Sequence, residues 1–260
     1  MTQAERRLWL IRALCAERLD LAGAQIPVDE DEQRAFLRAL INVRPPEPIG
    51  DEFLGVQDAY LQERLAERGV VHLSELEPAS KDDRLLLWRG DITRLAVDAI
   101  VNAANSQLLG CFVPGHHCID NAIHTFAGIQ LRLACAELMR AQGHEEGTGL
   151  AKVTPGFNLP ATYVIHTVGP IVYGPAPTAR DELALRSSYH NCLAAADAAG
   201  CASLAFCCIS TGVFRYPYEE AAGVAVDEVQ SYLDETGSSM RVVFNVFLER
   251  DETVYRGLLG

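Results

Sequence analysis

The sequence runs to 260 residues, 49% hydrophobic and 22% charged, with 22 Lys+Arg against 35 Asp+Glu and a net charge of −13. That makeup excludes collagen-like, low-complexity and disordered chains, and the length suffices for one sizeable core with an appended piece. The acid excess argues against binding duplex nucleic acid, which needs clustered Lys and Arg to displace counterions. No run of roughly 18 apolar residues is present to cross a membrane. The first 25 residues also lack the uninterrupted apolar stretch of a signal peptide. A cytoplasmic chain is therefore expected.

Residues 1–77 read as helices separated by turn signals. Thr2-x-x-Glu5 has the form of a capping box, followed by Leu8, Ile11 and Leu14 at helical spacing. Asp29 to Asp31 can cap a second helix carrying Phe36, Leu37, Leu40 and Ile41, which the prolines at 45, 46 and 48 must end. A third helix is expected from near Asp51, with Gly69 to stop it. No catalytic motif stands in this segment, so a helical cap or an interaction surface is the expectation.

After Ser80 the pattern changes. Short apolar runs at Leu85–Trp88, Ala99–Ala103, Tyr163–Val168, Ser203–Cys208 and Val242–Leu248 predict buried strands. Helices are expected between them at about 121–142, 180–199, 218–236 and 252–259. Strands alternating with helices predict an α/β layered domain with a largely parallel sheet. Ligands of such sheets bind at the carboxyl ends of the strands, so the loops there are where chemistry belongs.

Four loops are unusual. Gly90-Asp91-Ile92-Thr93 follows a strand: its acid can accept from a ligand amine and its isoleucine can pack on a flat ring, although Gly-Asp also makes ordinary turns. Val101-Asn102-Ala103-Ala104-Asn105 runs off a strand with two carboxamides, which suit sugar hydroxyls or cap the turn. The third loop, 110–121, places Cys111, His116 and Cys118 within eight residues, bent by Pro114 and Gly115. Two thiolates and an imidazole form a zinc ligand set; three ligands leave a position for water or substrate, whereas structural zinc sites usually have four. His117 could replace His116 or join it and close the site, and a metal-free thiol loop is the alternative to both. Finally, Ser210-Thr211-Gly212-Val213-Phe214 precedes a helix, where backbone N–H groups can cradle a diphosphate. The eight cysteines of a cytosolic chain are expected as buried thiols or metal ligands rather than disulfides.

Together, Gly90-Asp91-Ile92, Val101–Asn105, Asp120-Asn121-Ala122-Ile123-His124 and Ser210–Phe214 resemble the macrodomain family over roughly residues 80–260. Where most hydrolytic macrodomains carry a run of glycines, this sequence has Cys111–Cys118, and in this it resembles the zinc-containing subclass of protein ADP-ribosyl hydrolases. The resemblance implies a three-layer α/β/α macrodomain over 78–260, with residues 1–77 as an N-terminal helical extension. It further implies that Asp91 and Ile92 take the adenine. Ser210, Thr211, Gly212, Val213 and Phe214 would hold the diphosphate from one side, and Ile119, Asp120 and Asn121 from the other. Asn105 would bond the distal ribose, with Cys111, His116 and Cys118 holding one zinc ion beside it. His124 matches a family histidine but sits among apolar neighbours, where a packed structural role is expected. The implied reaction is hydrolysis of mono-ADP-ribosylated protein, most plausibly at an Asp or Glu ester. Asn105 and Asp120 are the candidate catalytic residues, with Asp120 as general base, water-orienting group or structural acid. A lipoyl-carrier protein modified by a sirtuin-type transferase is the kind of partner the subclass implies. A non-catalytic ADP-ribose reader with structural zinc is the alternative.

Overall fold

The computed structural model describes residues 1–21 and 23–260. Three helices open the chain: α1 (Gln3–Ala16), α2 (Glu30–Val43) and α3 (Asp51–Arg68). The expected capping box forms, with Thr2 Oγ1 accepting from Glu5 N at 3.2 Å and Thr2 N donating to Glu5 Oε2 at 2.7 Å. Asp29 caps α2 through the N–H groups of Asp31 and Glu32, and Gly69 ends α3 at φ +75°. Leu10, Ile11, Leu14, Leu37, Leu40, Ile41, Phe53 and Tyr60 bury one another in a core of their own.

The remainder, in order, is β1 (Val71–His72), β2 (Leu85–Arg89), β3 (Leu95–Ala96), β4 (Ala99–Ala103), α4 (Ile119–Ala127), α5 (Ile129–Gln142), β5 (Ala151–Pro155), β6 (Tyr163–Thr167), α6 (Ala179–Ala198), β7 (Ser203–Phe206), α7 (Tyr218–Thr236), β8 (Arg241–Val246) and α8 (Glu249–Leu259). The main sheet has the order β2-β8-β7-β4-β6-β5, parallel throughout except for β5 against β6; β1 and β3 pair separately. The register assigns its faces. Asn102 pairs with His166 and shares a face with it, and that face meets Asp120 of α4 and Cys135 of α5. Phe206 pairs with Phe244 on the opposite face, where their rings meet Tyr189 of α6 and Tyr255 of α8. Helices thus cover both sides in the expected three layers.

The differences from expectation are local. The helix expected over 121–142 is two helices, broken at Gly128 with φ +94°, where a Cβ would stand 2.5 Å from Gln130 Oε1. Strand β5 went unread because its Ala-Lys-Val-Thr-Pro pattern is half-buried on a sheet edge rather than continuously apolar. Strands β7 and β8 stop two residues early, which leaves Phe247 74% exposed at the sheet's carboxyl edge.

Candidate active site

Asp91 follows β2 and caps a short 3₁₀ turn at Ile92–Arg94. Its Oδ1 accepts from Thr93 N and Thr93 Oγ1 at 3.0 and 2.7 Å, and its Oδ2 from Arg68 Nη2 at 2.7 Å. Arg68 comes from α3 and lies over the Phe126 ring of α4, 3.6 Å from its centroid. The acid is thus preset by a residue for which the sequence pattern gave no signal. Ile92 is buried rather than displayed. Phe247, also unread, stands just beyond the Arg89–Val246 pair and so beside the Gly90–Asp91 turn.

The two asparagines of the 101–105 segment separate into different roles. Asn102 points inward and is fully buried; its Nδ2 donates to Asp120 Oδ1 at 2.8 Å and lies 3.2 Å from His166 Nδ1. Asn105 shapes the turn, with Nδ2 donating to Gly110 O and Oδ1 accepting from Gln107 N. A carboxamide has two donor hydrogens and two acceptor lone pairs, so Asn105 retains one of each for a ligand.

After this turn the chain enters the loop of the sequence-predicted donors. Cys111 Sγ, His116 and Cys118 Sγ bring their ligand atoms within 4.8 Å of one another, all half-buried, and His117 is not part of that cluster. Bonds of ~2.3 Å to sulfur and ~2.05 Å to nitrogen around a tetrahedral zinc ion would set S and N about 3.6 Å apart. Cys111 Sγ and His116 Nδ1 are 3.6 Å apart. The donor chemistry and spacing fit the ion. Cys118 also caps α4, its Sγ accepting from Asn121 N at 3.4 Å. Burial pushes the Cys118 thiol up, opposed by that N–H and reinforced by Cys111 and Asp120.

Asp120, two residues on, is 5% exposed in the first turn of α4. Burial raises its carboxyl to about 6, against the Asn102 hydrogen bond and the charge of Arg132. Its side chain bonds Asn102 rather than backbone N–H groups, and among the described residues Oδ2 has no partner. His124 lies a turn further along, buried, its Nε2 3.5 Å from Asp120 Oδ1 and its donor atoms close to Cys135 and His166, so its surroundings are polar rather than the apolar ones expected. Neither ring nitrogen has a hydrogen-bond partner among the described residues.

Beyond the neighbouring strand β7, the chain turns at Ser210, whose φ of +66° is unusual for a residue with a side chain. Its buried Oγ has no partner among the described residues, and a Cβ on Gly169 would collide with it. The turn closes through Tyr216 N to Ser210 O and Arg215 N to Gly212 O, while Phe214 O accepts from Val172 N. The N–H groups of Thr211, Gly212 and Val213 have no acceptor among the described residues, and Val213 is 72% exposed. Free N–H groups before a helix suit phosphate oxygens. A hollow lined by Leu14, Glu17, Arg18, Leu40 and Arg44 lies instead among the N-terminal helices and contains none of these residues.

A layered α/β sheet with a capped acid, a partly free carboxamide and free N–H groups on the loops at its carboxyl edge has the arrangement in which open α/β sheets commonly take nucleotides. The Macro domain family model matches residues 101–225. A protein-ADP-ribose hydrolase from Treponema medium is 54% identical over the whole of both chains. One of the same name from Staphylococcus aureus (strain MRSA252) is 48% identical over 95% of this chain and 92% of that one. The solved Trypanosoma brucei macrodomain in complex with ADP-ribose aligns with a TM-score of 0.67 at 31% identity, covering 86% of this chain and 95% of that one. The chain belongs to the Macro domain family.

Proposed function

We propose that this protein removes ADP-ribose from mono-ADP-ribosylated proteins, cleaving an ester between the distal ribose and an Asp or Glu side chain with one zinc ion held by Cys111, His116 and Cys118. The observation that carries this reading is the donor triad's position: it ends at Cys118, two residues before Asp120, on the loop that leaves Asn105. The hydrolase names of the full-length relatives support it. A bound zinc ion would supply Lewis acidity beside the distal ribose.

The chain's own residues do the rest. Asp91 accepts from the adenine amino group, and Arg68 holds that carboxylate in place. The free N–H groups of the 211–213 turn and the first turn of α4, at Ile119 and Asp120, receive the diphosphate oxygens from two sides. Asn105 uses its remaining donor and acceptor on the distal ribose. Asp120 presents Oδ2 to a water molecule while Asn102 fixes Oδ1. Water then adds across the ester, leaving a free ribose hydroxyl and a restored side-chain carboxylate. In this reading residues 78–260 are the catalytic domain, residues 1–77 extend it, and the chain acts in the cytoplasm; a modified lipoyl-carrier protein is the substrate to try first. Among the described residues no helix is long and apolar enough to cross a membrane.

The test is release of ADP-ribose from ester-linked and Arg-linked mono-ADP-ribosylated proteins by the zinc-loaded chain, with a strong chelator as control. Release from the ester alone that the chelator stops is expected. Tight ADP-ribose binding without release on either linkage would make the protein a reader.

A further inference from the structure

Helix α2 lies outside the residues that the Macro domain model matches, yet it supplies most of what ties the donor loop down. Between Phe112 and His117 the loop makes one internal backbone hydrogen bond, from His116 N to Val113 O. Among the described residues, and apart from the His116 Nδ1 contact with the neighbouring Cys111 Sγ, its hydrogen bonds to the rest of the chain are three. Asn42 Oδ1 accepts from Gly115 N at 3.0 Å, Arg38 Nη2 donates to His116 O at 3.1 Å, and Asn121 Nδ2 donates to Val113 O at 3.2 Å. The third depends on α2 as well, because Arg38 grips Asn121 Oδ1 through Nε and Nη2 at 3.0 and 2.7 Å.

Arg38 and Asn42 stand one helical turn apart and therefore share a face of α2. Asn42 is fully buried, and its Nδ2 donates to Thr125 Oγ1 of α4 at 3.0 Å. One amide thus connects the loop bearing His116 to the helix that Cys118 caps. A loop containing Pro114 and Gly115, with φ +64° at the glycine, costs conformational entropy to order. Side chains that order it beforehand raise its affinity for what it holds, as groups behind metal ligands generally do.

We infer that Arg38 and Asn42 are positioning residues that set the Cys111–Cys118 loop in its metal-holding shape before an ion arrives, which makes the N-terminal helices part of the site. The inference rests on the zinc reading above. Its test pairs zinc affinity, measured by chelator competition, with amide hydrogen exchange of the metal-free protein, in the wild type, Arg38→Ala, Arg38→Lys, Asn42→Ala and Thr125→Val. Arg38→Ala and Asn42→Ala should each weaken zinc binding by ~10-fold or more and speed exchange over 112–117 while α1 and α3 exchange as before. Arg38→Lys should behave like Arg38→Ala, because an ammonium cannot fork to Asn121 and His116 together; it carries the test if Asn42→Ala fails to fold. Thr125→Val keeps the Gly115 contact but unties Asn42 from α4, so it should weaken zinc binding clearly less than Asn42→Ala does. Faster loop exchange in a protein that takes up no zinc would retire the zinc reading and uphold the positioning role. Unchanged affinity and loop exchange in both Arg38 variants, or an equal loss of affinity in Thr125→Val, would overturn it.

Discussion

Among the described residues, two groups of cysteine and histidine bring their donor atoms within 4.8 Å of one another: Cys111, His116 and Cys118 on the loop, and His124, Cys135 and His166 in the core. Their chemistry is alike and their surroundings are opposite. The loop group is half-buried at the sheet's carboxyl edge, whereas the core group is buried throughout. In the core, His166 already has partners at both ring nitrogens, Asn102 Nδ2 at 3.2 Å and Thr154 Oγ1 at 2.9 Å. Burial, and after it His166 and Arg132, depress the His124 imidazole, and the Arg132 charge would repel a cation there. His124 of the same group keeps both ring nitrogens without a hydrogen-bond partner among the described residues, so unsatisfied donors do not separate the two groups; access does.

The sharpest way to break this contrast is Cys118→Ala. It should remove zinc retention and cut ADP-ribose release ~100-fold or more, because a catalytic site rarely survives loss of one of three ligands. The fold should persist, since the site lies on a loop; near-wild-type release from the zinc-free variant would refute the metal's role. Cys135→Ala should do the reverse, costing about 2 kcal/mol of stability through the cavity it leaves while zinc content stays unchanged. Denaturant unfolding and metal analysis on the same sample check both halves.

The core group should also be visible in the pH dependence of stability. Burial holds His166 down at about 4 and His124 well below its ordinary value, while it raises Asp120 to about 6. Below pH ~6.5 the unfolded chain binds protons at both histidines that the folded chain refuses, so stability is lost as the pH falls. Between about pH 4 and 6 the Asp120 carboxyl works in the opposite sense, because its folded form keeps the proton longer. Arg132 and Cys135, at about 10 and 12, keep one charge state throughout this window. His166→Gln should lower the slope of unfolding free energy against pH by about 1.4 kcal/mol per unit between pH 4 and 6. An unchanged slope would show that His166 is protonated in the fold. The smallest effect is expected at the loop's entrance: Asn105→Ala should lower kcat ~5-fold with little change in ADP-ribose affinity, marking a contact that strengthens in the transition state. Equal losses in both would make it a binding residue only.

Much of this was legible in the sequence because it is local. Capping residues, apolar runs and the close spacing of Cys111, His116 and Cys118 announce themselves within a few positions. What was not legible depends on contacts distant along the chain. Asn102 and Asn105 read alike until β4 turns one toward Asp120 and leaves the other at the turn. Arg38 and Arg68 lie on helices without a motif, and their reach to Asn121 and Asp91 spans 83 and 23 residues. A Gly128 break inside a helical pattern was readable in principle, since a lone glycine lowers helix stability, but its cause is a close approach by Gln130 and Gln57.

The most direct test counts zinc ions per chain and times ADP-ribose release on the same samples of wild type, Cys118→Ala and Cys135→Ala. The account predicts one ion, none and one, with release following the ion count. Two ions in the wild type, loss of the ion in Cys135→Ala, or release without the ion in Cys118→Ala would contradict it.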